Sequence, residues 1–211
     1  MSEEVRHPIF ARFFARLAAK GEEAGARKHR QRLLAGVRGR VIEVGAGNGL
    51  NFAHYPPEVN EVVAVEPEDY LRAKAEEAAE TAPVAISVVG GVADRLPGED
   101  SSFDAAVASL VLCSVPDQAR ALAEIRRVLK PDGELRFYEH VLAESPRRAR
   151  VQNRVAWFWP KVGGGCHPNR DTVGAIERAG FEISSCERFR FQPTPLQIPV
   201  APHVIGVARP S

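Results

Sequence analysis

The sequence predicts an α/β fold, in which a doubly wound, mostly parallel seven-stranded sheet carries helices on both faces and ends in an antiparallel strand. Five apolar runs typical of buried strands come first and are interleaved with helical patterns. Two further runs close the chain across a Pro-rich loop, which predicts a hairpin-like pair at the sheet edge. The seven runs are residues 41–44, 61–66, 84–89, 103–112, 133–141, 181–189 and 203–210.

Composition limits the classes of protein that fit. A chain of 211 residues with 45% hydrophobic and 26% charged residues has the size and composition of one globular domain, so we expect a single domain over 1–211. A formal net charge of +1 gives no global attraction to nucleic acid.

Cysteine usage and the N-terminus predict the compartment. Cys113, Cys166 and Cys186 are too widely spaced for a disulfide framework or a CxxC metal site, so we expect no metal and a reducing, cytoplasmic setting. The opening MSEEVRHPIFARFF has acidic residues where a signal peptide needs basic ones. No run of eighteen apolar residues occurs, so a spanning helix is not expected.

The N-terminal region has the pattern of an amphipathic helix over residues 8–35, which we expect Gly21 and Gly25 to break. Residues 1–40 hold ten lysines and arginines against four acidic residues. This excess suits either an anionic membrane surface or a solvated face of a helix whose apolar side packs on the core. That side consists of Ile9, Phe10, Phe13, Phe14 and Leu17.

Two later helices are predicted from residues that typically end a helix. An apolar stripe from Leu122 to Leu129 stops at the sequence KPDG, residues 130–133, and a last helix over residues 171–179 ends before Gly180.

The stretch VIEVGAGNGLNF, residues 41–52, predicts a ligand-binding turn between a strand and a helix. A dinucleotide fingerprint GxGxxG would need glycine at position 50, where Leu50 stands, so a pyrophosphate is disfavoured. The preceding acid, Glu43, suits a ligand with a cationic group. Glu66 ends the next strand pattern, where doubly wound folds bind ribose hydroxyls. S-adenosylmethionine carries an ammonium, a sulfonium and a ribose.

Residues 40–141 resemble the class I S-adenosylmethionine-dependent methyltransferases. The motifs that carry the resemblance are VIEVGAGNGLNF, VVAVEP, GGVADRLPGEDSSFDAAVASLVLCSV and LKPDGELRFYEHV. Shorter motifs, among them SLVLCSV, FYEHV, GGGCHPNRD and PHVIGVA, resemble the methyltransferase-like subfamily whose vertebrate members methylate alkyl thiols. The resemblance implies the Rossmann-like methyltransferase fold. It divides the domain into an N-terminal helical cap (1–38), a donor-binding core (39–141), an acceptor-side insertion (142–170) and a final helix with edge strands (171–211).

The resemblance also implies which residues bind S-adenosylmethionine. Glu43 would face the methionine ammonium, and Glu66 would bind both ribose hydroxyls. Relatives place an adenine-binding aspartate where this chain has Val92, so we expect a backbone contact there. The full expected set is Glu43, Gly45, Ala46, Gly47, Glu66, Pro67, Val92, Ala93 and Leu110.

Candidates for catalysis lie near the end of the fifth strand pattern. His140 and Glu139 are expected to act as general base or orienting groups, with His167 as a further candidate. Cys113 is expected to be a small buried residue. Cys166 and the pair Arg170 and Asp171 are expected to shape a loop or form an ion pair. Trp157, Phe158 and Trp159 suit either an acceptor lid or core packing.

Three functions remain open at this point. The first is methylation of a small, apolar thiol, and the second is methylation of a quinone-like or lipid acceptor. The third is a non-catalytic module that binds S-adenosylmethionine. The sequence VLCSV, residues 111–115, lacks an NPPY-like signature, so we expect a small-molecule acceptor and no nucleic acid. The vertebrate relatives' hydrophobic anchor has no counterpart here, so only peripheral membrane contact through the N-terminal helix is considered, and the oligomeric state is not predicted.

Overall fold

The computed structural model describes residues 21–211, and it contains the predicted seven-stranded sheet. The strands are β1 (Gly39–Val44), β2 (Val59–Val65), β3 (Ile86–Val89), β4 (Phe103–Ser109), β5 (Leu129–His140), β6 (Phe181–Arg190) and β7 (Pro202–Pro210).

The strand order is β3-β2-β1-β4-β5-β7-β6. The first five strands in this order pair in parallel, and β7 runs antiparallel between β5 and β6. The predicted closing hairpin is confirmed, with β7 inserted inside the sheet and β6 at its edge. Successive strands are added on one side of β1 up to β3 and on its other side from β4 onward, so the carboxyl ends of the parallel strands β1 and β4 border the crevice where doubly wound folds bind ligands.

Six α-helical segments accompany the sheet in the described residues. They are α1 (Arg27–Leu34), α2 (Asp69–Ala79), α3 (Gln118–Val128), α4 (Pro146–Val155), α5 (Trp159–Val162) and α6 (Thr172–Arg178). The predicted helices before KPDG and near residues 171–179 correspond to α3 and α6. Asp117 and Asp171 cap them by accepting hydrogen bonds from Arg120 N and Gly174 N.

The N-terminal helix can be compared with its prediction only from residue 21 onward, so the expected apolar stripe from Ile9 to Leu17 lies outside the described residues. Gly25 has a φ of 118° inside the irregular turn Glu22–Ala26, and α1 begins directly after it. The predicted break is therefore confirmed at Gly25. Gly21 keeps helical angles, with φ −62° and ψ −41°, so the break expected there was wrong.

Both faces of the sheet are buried, as the apolar runs predict. Val41 of β1 packs with Leu33 and Leu34 of α1, whereas the adjacent Ile42 packs on the opposite face with Leu122 and Ile125 of α3. Successive side chains of a strand point to opposite faces, so a strand covered on both sides needs an apolar residue at nearly every position. Within residues 21–211, no helix combines the length and apolar character required to cross a bilayer.

Candidate active site

The glycine-rich turn follows β1 and forms one wall of a cavity. Gly45 has a φ of 67°, and its N–H donates to Val65 O at 2.8 Å. A β-carbon at Gly45 would lie 2.4 Å from Cγ2 of Val111, so only glycine fits this position without displacing the neighbouring turn. The backbone of β1 is thereby brought close to the cavity without an intervening side chain.

Glu43 lies beneath this turn and takes part in a buried hydrogen-bond network. Its two carboxylate oxygens accept from Asn51 Nδ2 at 2.8 Å and from the Tyr55 hydroxyl at 2.7 Å. Asn51 in turn accepts from Arg30 at 2.9 Å. Burial raises the pKa of Glu43 to about 7, against the opposing effect of these hydrogen bonds. Glu43 also lines the cavity, so its charge is available to a ligand.

Glu66 stands at the end of β2 on the same wall. Its Oε2 accepts from Gly47 N at 2.8 Å and its Oε1 from Glu68 N at 3.0 Å. Each carboxylate oxygen has a second lone pair, so the two oxygens can still accept hydrogen bonds from a ligand. Burial raises the pKa of Glu66, which lines the cavity. The two backbone bonds fix the orientation of the carboxylate before a ligand arrives.

The neighbouring part of the cavity has an apolar lining with carboxylates beside it. Pro67, Leu71, Val92 and Ala93 line it with Gly91, and Glu68 and Asp94 line it too. Val92 and Ala93 lie at the cavity, where a backbone contact to adenine is predicted, and Asp94 places a carboxylate at the cavity two positions after Val92.

The 110–115 turn, which follows β4, forms the opposite wall. Leu110 has a φ of 60°, a conformation uncommon for a residue other than glycine, and its N–H donates to Tyr138 O at 2.7 Å. The predicted strand over 103–112 therefore ends earlier, at Ser109. Leu110 and Val111 line the cavity, as predicted for Leu110.

Glu139 holds this turn in place from below. Its Oε1 accepts from the N–H groups of Val111 and Leu112 at 3.0 and 2.8 Å, and its Oε2 accepts from Cys113 N at 3.1 Å. The Glu139 side chain is fully buried and is not among the residues that line the cavity. Glu139 is therefore placed as an orienting group, one of its two predicted roles, and its role as a general base stays a prediction.

Two residues of the 163–170 loop secure the same turn. Arg170 donates to the carbonyls of Leu112 and Val115 at 2.8 and 2.7 Å, and the backbone N–H of His167 donates to Cys113 O at 2.8 Å. Arg170 thus shapes the loop, as expected, while Asp171 caps α6. His167 contributes its backbone N–H here, and its side chain is not among the cavity-lining groups.

Cys113, His140 and Cys166 form a cluster at the cavity wall, called here the CHC cluster. His140 Nδ1 lies 3.5 Å from Cys113 Sγ and 3.4 Å from Cys166 Sγ. The ring of His203 packs against His140, with centroids 4.6 Å apart. A hydrogen bond from Cys113 and the charge of His140 lower the pKa of Cys166, despite its burial. Burial, the largest single effect, lowers the pKa of His140, but the charges of Cys166 and Glu139 and the hydrogen bond with Cys166 together raise it.

The aromatic residues of the insertion separate into two environments. Trp159 packs against Cys113, Cys166 and Val200, behind the CHC cluster. Trp157 and Phe158 are 74% and 46% exposed, so they do not close over the cavity in this conformation. Core packing is thus the outcome for Trp159, and the lid prediction for Trp157 and Phe158 stays a prediction.

All these walls enclose one cavity of about 520 Å³. Glu43, Glu66 and Val92 line it along β1, β2 and the loop after β3. Ser114 of the 110–115 turn, His140 at the end of β5 and Cys166 of the 163–170 loop line it at the other end. All nine residues of the expected donor-binding set line the cavity, beside others that the sequence did not indicate. The sequence missed Arg30, Asn51 and Tyr55, and it did not predict the CHC cluster, since its members lie 26 and 27 positions apart.

Comparisons with known proteins agree with this geometry. Residues 42–137 match the family model described as a methyltransferase domain. Thiol S-methyltransferase TMT1B from Mus musculus is 37% identical over 94% of this chain and 85% of its own length, and thiol S-methyltransferase TMT1A from Homo sapiens is 34% identical over 82% and 72%. A solved S-adenosylmethionine-dependent methyltransferase from Thermotoga maritima, described as a possible histamine N-methyltransferase, superposes with a TM-score of 0.70 at 23% identity, covering 96% of this chain and 98% of that one.

The cavity residues fit S-adenosylmethionine. Glu66 retains two free lone pairs for the ribose hydroxyls, and Glu43 supplies a carboxylate for the ammonium. Arg30 also lines the cavity, but it is already paired with Glu22 at 2.8 Å and bonded to Asn51 at 2.9 Å. A cationic ligand therefore suits this wall better than a pyrophosphate.

The fold, the acidic cavity wall and the relatives lead to one conclusion. The chain belongs to the class I S-adenosylmethionine-dependent methyltransferases, in the group that includes the thiol S-methyltransferases TMT1A and TMT1B.

Proposed function

We propose that this enzyme transfers the methyl group of S-adenosylmethionine to the sulfur of a small, apolar thiol. The observation that carries the proposal is identity of 37% with a thiol S-methyltransferase over 94% of the chain. The end of the cavity that Ser114, His140 and Cys166 line is called here the acceptor end. The same end holds the CHC cluster, whose imidazole and sulfur groups suit a soft sulfur nucleophile.

The size of the cavity supports a small acceptor. Its volume of about 520 Å³ lies within the roughly 300–1,000 Å³ typical of sites for one drug-sized ligand. The donor occupies much of that space along β1 and β2, which leaves a limited region beside Ser114, His140 and Cys166. A small acceptor therefore suits this region better than a macromolecule does.

The chemistry requires alignment and management of one proton. When bound, S-adenosylmethionine supplies a methyl group on a sulfonium, whose departure as a neutral thioether makes the transfer a single displacement. The thiol sulfur forms the new S–C bond, and its proton leaves before or during the step. A free thiol with a pKa near 8.5 is only a few per cent ionised at neutral pH, so a group that favours the thiolate accelerates the reaction.

His140 is the residue placed to favour the thiolate. Its imidazole lies at the acceptor end of the cavity, and the ring of His203 keeps it in position. The 110–115 turn, fixed by Glu139 and Arg170, supplies the wall that aligns the acceptor with the donor. Val92, Leu71 and Leu110 exclude water from the donor side.

The proposal is tested by methyl transfer from labelled S-adenosylmethionine to a panel of acceptors. The panel contains alkyl and aryl thiols, the phenols and amines of matching shape, and a short-chain quinol. We expect a methyl thioether from the small apolar thiols and little product from their oxygen and nitrogen counterparts. Transfer to the quinol alone would contradict the proposal and support the second acceptor class.

Replacing His140 by alanine should slow thiol methylation by about 100-fold, within the range typical of losing one group that manages a proton. Affinity for S-adenosylhomocysteine should change less than about threefold, because the carboxylates that bind the nucleoside stay in place. Steady-state rates and calorimetric titration measure the two quantities. Asn169→Ala, which removes an exposed hydrogen bond to Asn153 of α4, serves as the control. An unaltered rate of thiol methylation in His140→Ala would show that His140 has only a structural role.

Affinity for S-adenosylmethionine should rise with pH up to about 7. Burial raises the pKa of Glu43 to about 7, so in the free enzyme the carboxyl group is increasingly protonated below that pH. The ammonium of the donor favours the ionised form, and binding therefore releases a proton from Glu43. Linkage of one proton lowers affinity by up to tenfold per pH unit below about 7. Titrations at several pH values measure the slope, and Glu43→Gln should remove it.

The cytoplasm is the compartment that suits this chain. Cys113, Cys166 and Cys186 are all free thiols, and free thiols persist in a reducing environment. Fractionation of cells that express a tagged chain, under conditions that also show peripheral membrane binding, tests this assignment.

A further inference from the structure

We propose that Cys113, His140 and Cys166 form a binding site for one zinc ion, with a fourth coordination position open to the acceptor end of the cavity. The presence of the site follows from the geometry of the CHC cluster alone. Its use, which is to bind and ionise the acceptor thiol, rests on the proposed S-methyltransferase function.

The distances match those of a zinc site. Zinc bonds of about 2.3 Å to sulfur and about 2.0 Å to nitrogen, at tetrahedral angles, place sulfur and nitrogen ligands about 3.5 Å apart. His140 Nδ1 lies 3.5 Å from Cys113 Sγ and 3.4 Å from Cys166 Sγ. The three ligand atoms all lie within 4.8 Å of one another. A single ion can therefore contact all three without movement of the backbone.

The three ligands are held by structure outside the cluster. Cys113 N donates to Glu139, and Cys113 O accepts from His167 N. Cys166 N donates to Gly163 O at 3.1 Å, and the ring of His203 packs against His140. A pre-formed arrangement of ligands lowers the cost of ordering them on metal binding.

The ligand set indicates which metal and which kind of site. Two thiolates and one imidazole are a soft set that suits zinc, and they give a complex with no net charge. Three protein ligands are the number found in catalytic zinc sites, whereas structural sites have four. Among residues 21–211, this is the group of histidine, cysteine and acidic side chains whose ligand atoms converge in this way.

The open position faces the cavity. His140 and Cys166 both line it, while Trp159 and Val200 pack on the cysteines from behind. Glu139 precedes His140 in the sequence and is a possible fourth ligand, but both its carboxylate oxygens accept hydrogen bonds from the 110–115 turn. The fourth ligand therefore comes from the cavity.

An acceptor thiol is a suitable fourth ligand. On coordination a Zn–S bond forms and the S–H proton is released to solvent, so the thiol binds as a thiolate at neutral pH. The thiolate sulfur then forms a bond to the methyl carbon as the bond from that carbon to the donor sulfur breaks, with its electron pair remaining on the donor sulfur. The zinc ion stays divalent, so no oxidant or reductant is required. The thioether product is a weaker ligand and leaves.

The test begins with metal binding in the full chain, independently of activity. Protein stripped with a chelator is titrated with Zn²⁺ and with Co²⁺ under reducing conditions. We expect about one ion per chain, and a cobalt spectrum with thiolate charge-transfer and tetrahedral bands. Cys113→Ser, Cys166→Ser and His140→Ala should each weaken binding at least 100-fold, while Cys186→Ser, which removes the exposed cysteine of β6, should bind as the wild type does.

Circular dichroism and affinity for S-adenosylhomocysteine show whether each variant is folded. A wild-type chain that binds neither ion, or that binds both equally well without Cys113 and Cys166, would overturn the proposal. So would a disulfide between Cys113 and Cys166 in protein purified with reductant, detected by thiol titration.

Activity assays separate the site from its use. If metal-free and zinc-loaded enzyme methylate a thiol at equal rates, the proposed use of zinc is wrong and the S-methyltransferase function stands. If zinc binds to the CHC cluster but no thiol is methylated, the metal site stands and the proposed function is wrong. A rate at least tenfold higher with zinc, lost in Cys166→Ser, supports both.

Discussion

Replacing Glu66 by alanine is expected to weaken binding of S-adenosylmethionine and S-adenosylhomocysteine at least 100-fold. The carboxylate is pre-oriented by Gly47 N and Glu68 N and has lone pairs directed to the cavity. Two hydrogen bonds from ribose hydroxyls to a charged group contribute about 1.5–3 kcal/mol each, and about 1.4 kcal/mol corresponds to a factor of ten. Calorimetric titration measures the loss.

The same substitution should change stability much less than affinity. The two N–H groups that lose Glu66 lie at the cavity, where water can replace the carboxylate, so we expect a loss of about 1 kcal/mol in the free energy of unfolding. Glu58→Ala, at the exposed opposite end of β2, is the control and should leave both quantities unchanged. Unchanged affinity in Glu66→Ala would show that another group binds the ribose.

Replacing Glu139 by alanine is expected to have the largest effect on stability, a loss of about 3–5 kcal/mol in the free energy of unfolding. Three backbone N–H groups, of Val111, Leu112 and Cys113, would lose their acceptor, and each buried unsatisfied group costs about 1–3 kcal/mol. Thiol methylation should also fall, because the 110–115 turn shapes the acceptor end of the cavity. Denaturant unfolding measures the stability change, and Glu144→Ala, whose side chain is 78% exposed, is the control.

The pH dependence of stability gives a second readout for Glu139. Burial raises the pKa of Glu139 to about 7, well above the ordinary range of a glutamate carboxyl group. A carboxyl group with a raised folded-state pKa stabilises the protein fully below the unfolded value and loses this contribution as pH rises through about 7. The wild type should therefore lose stability between about pH 4.5 and 7, and Glu139→Ala should show a smaller slope. An identical slope would mean that Glu139 does not titrate in this range.

Much of the fold could be predicted because its signals are local. Apolar runs with few polar positions identified the strands, and the glycines of residues 45–49 identified the turn. Glu43 and Glu66 were predicted as a pair because Glu43 lies near the end of β1 and Glu66 directly follows β2, and parallel strands bring their carboxyl ends to one edge. The strand end at Leu110 was missed because a left-handed conformation at leucine is imposed by tertiary hydrogen bonds rather than by residue type.

The tertiary structure decided the roles of residues that act through distant partners. Glu139 and His140 are adjacent on β5 and point to opposite sides of it, so one holds the 110–115 turn and the other faces the cavity. The sequence indicated both residues as general-base or orienting candidates and could not distinguish their roles.

The sequence by itself determined the sheet, the glycine-rich turn and the two carboxylates of a methyltransferase, because strand periodicity and turn chemistry act over a few residues. Only the tertiary structure brought Cys113 and Cys166 to the same imidazole. Their approach depends on where the loop after α5 packs against the 110–115 turn, and that packing is fixed by Arg170 and by the backbone N–H of His167. Contacts of this kind join residues dozens of positions apart, and no local pattern in the chain encodes them.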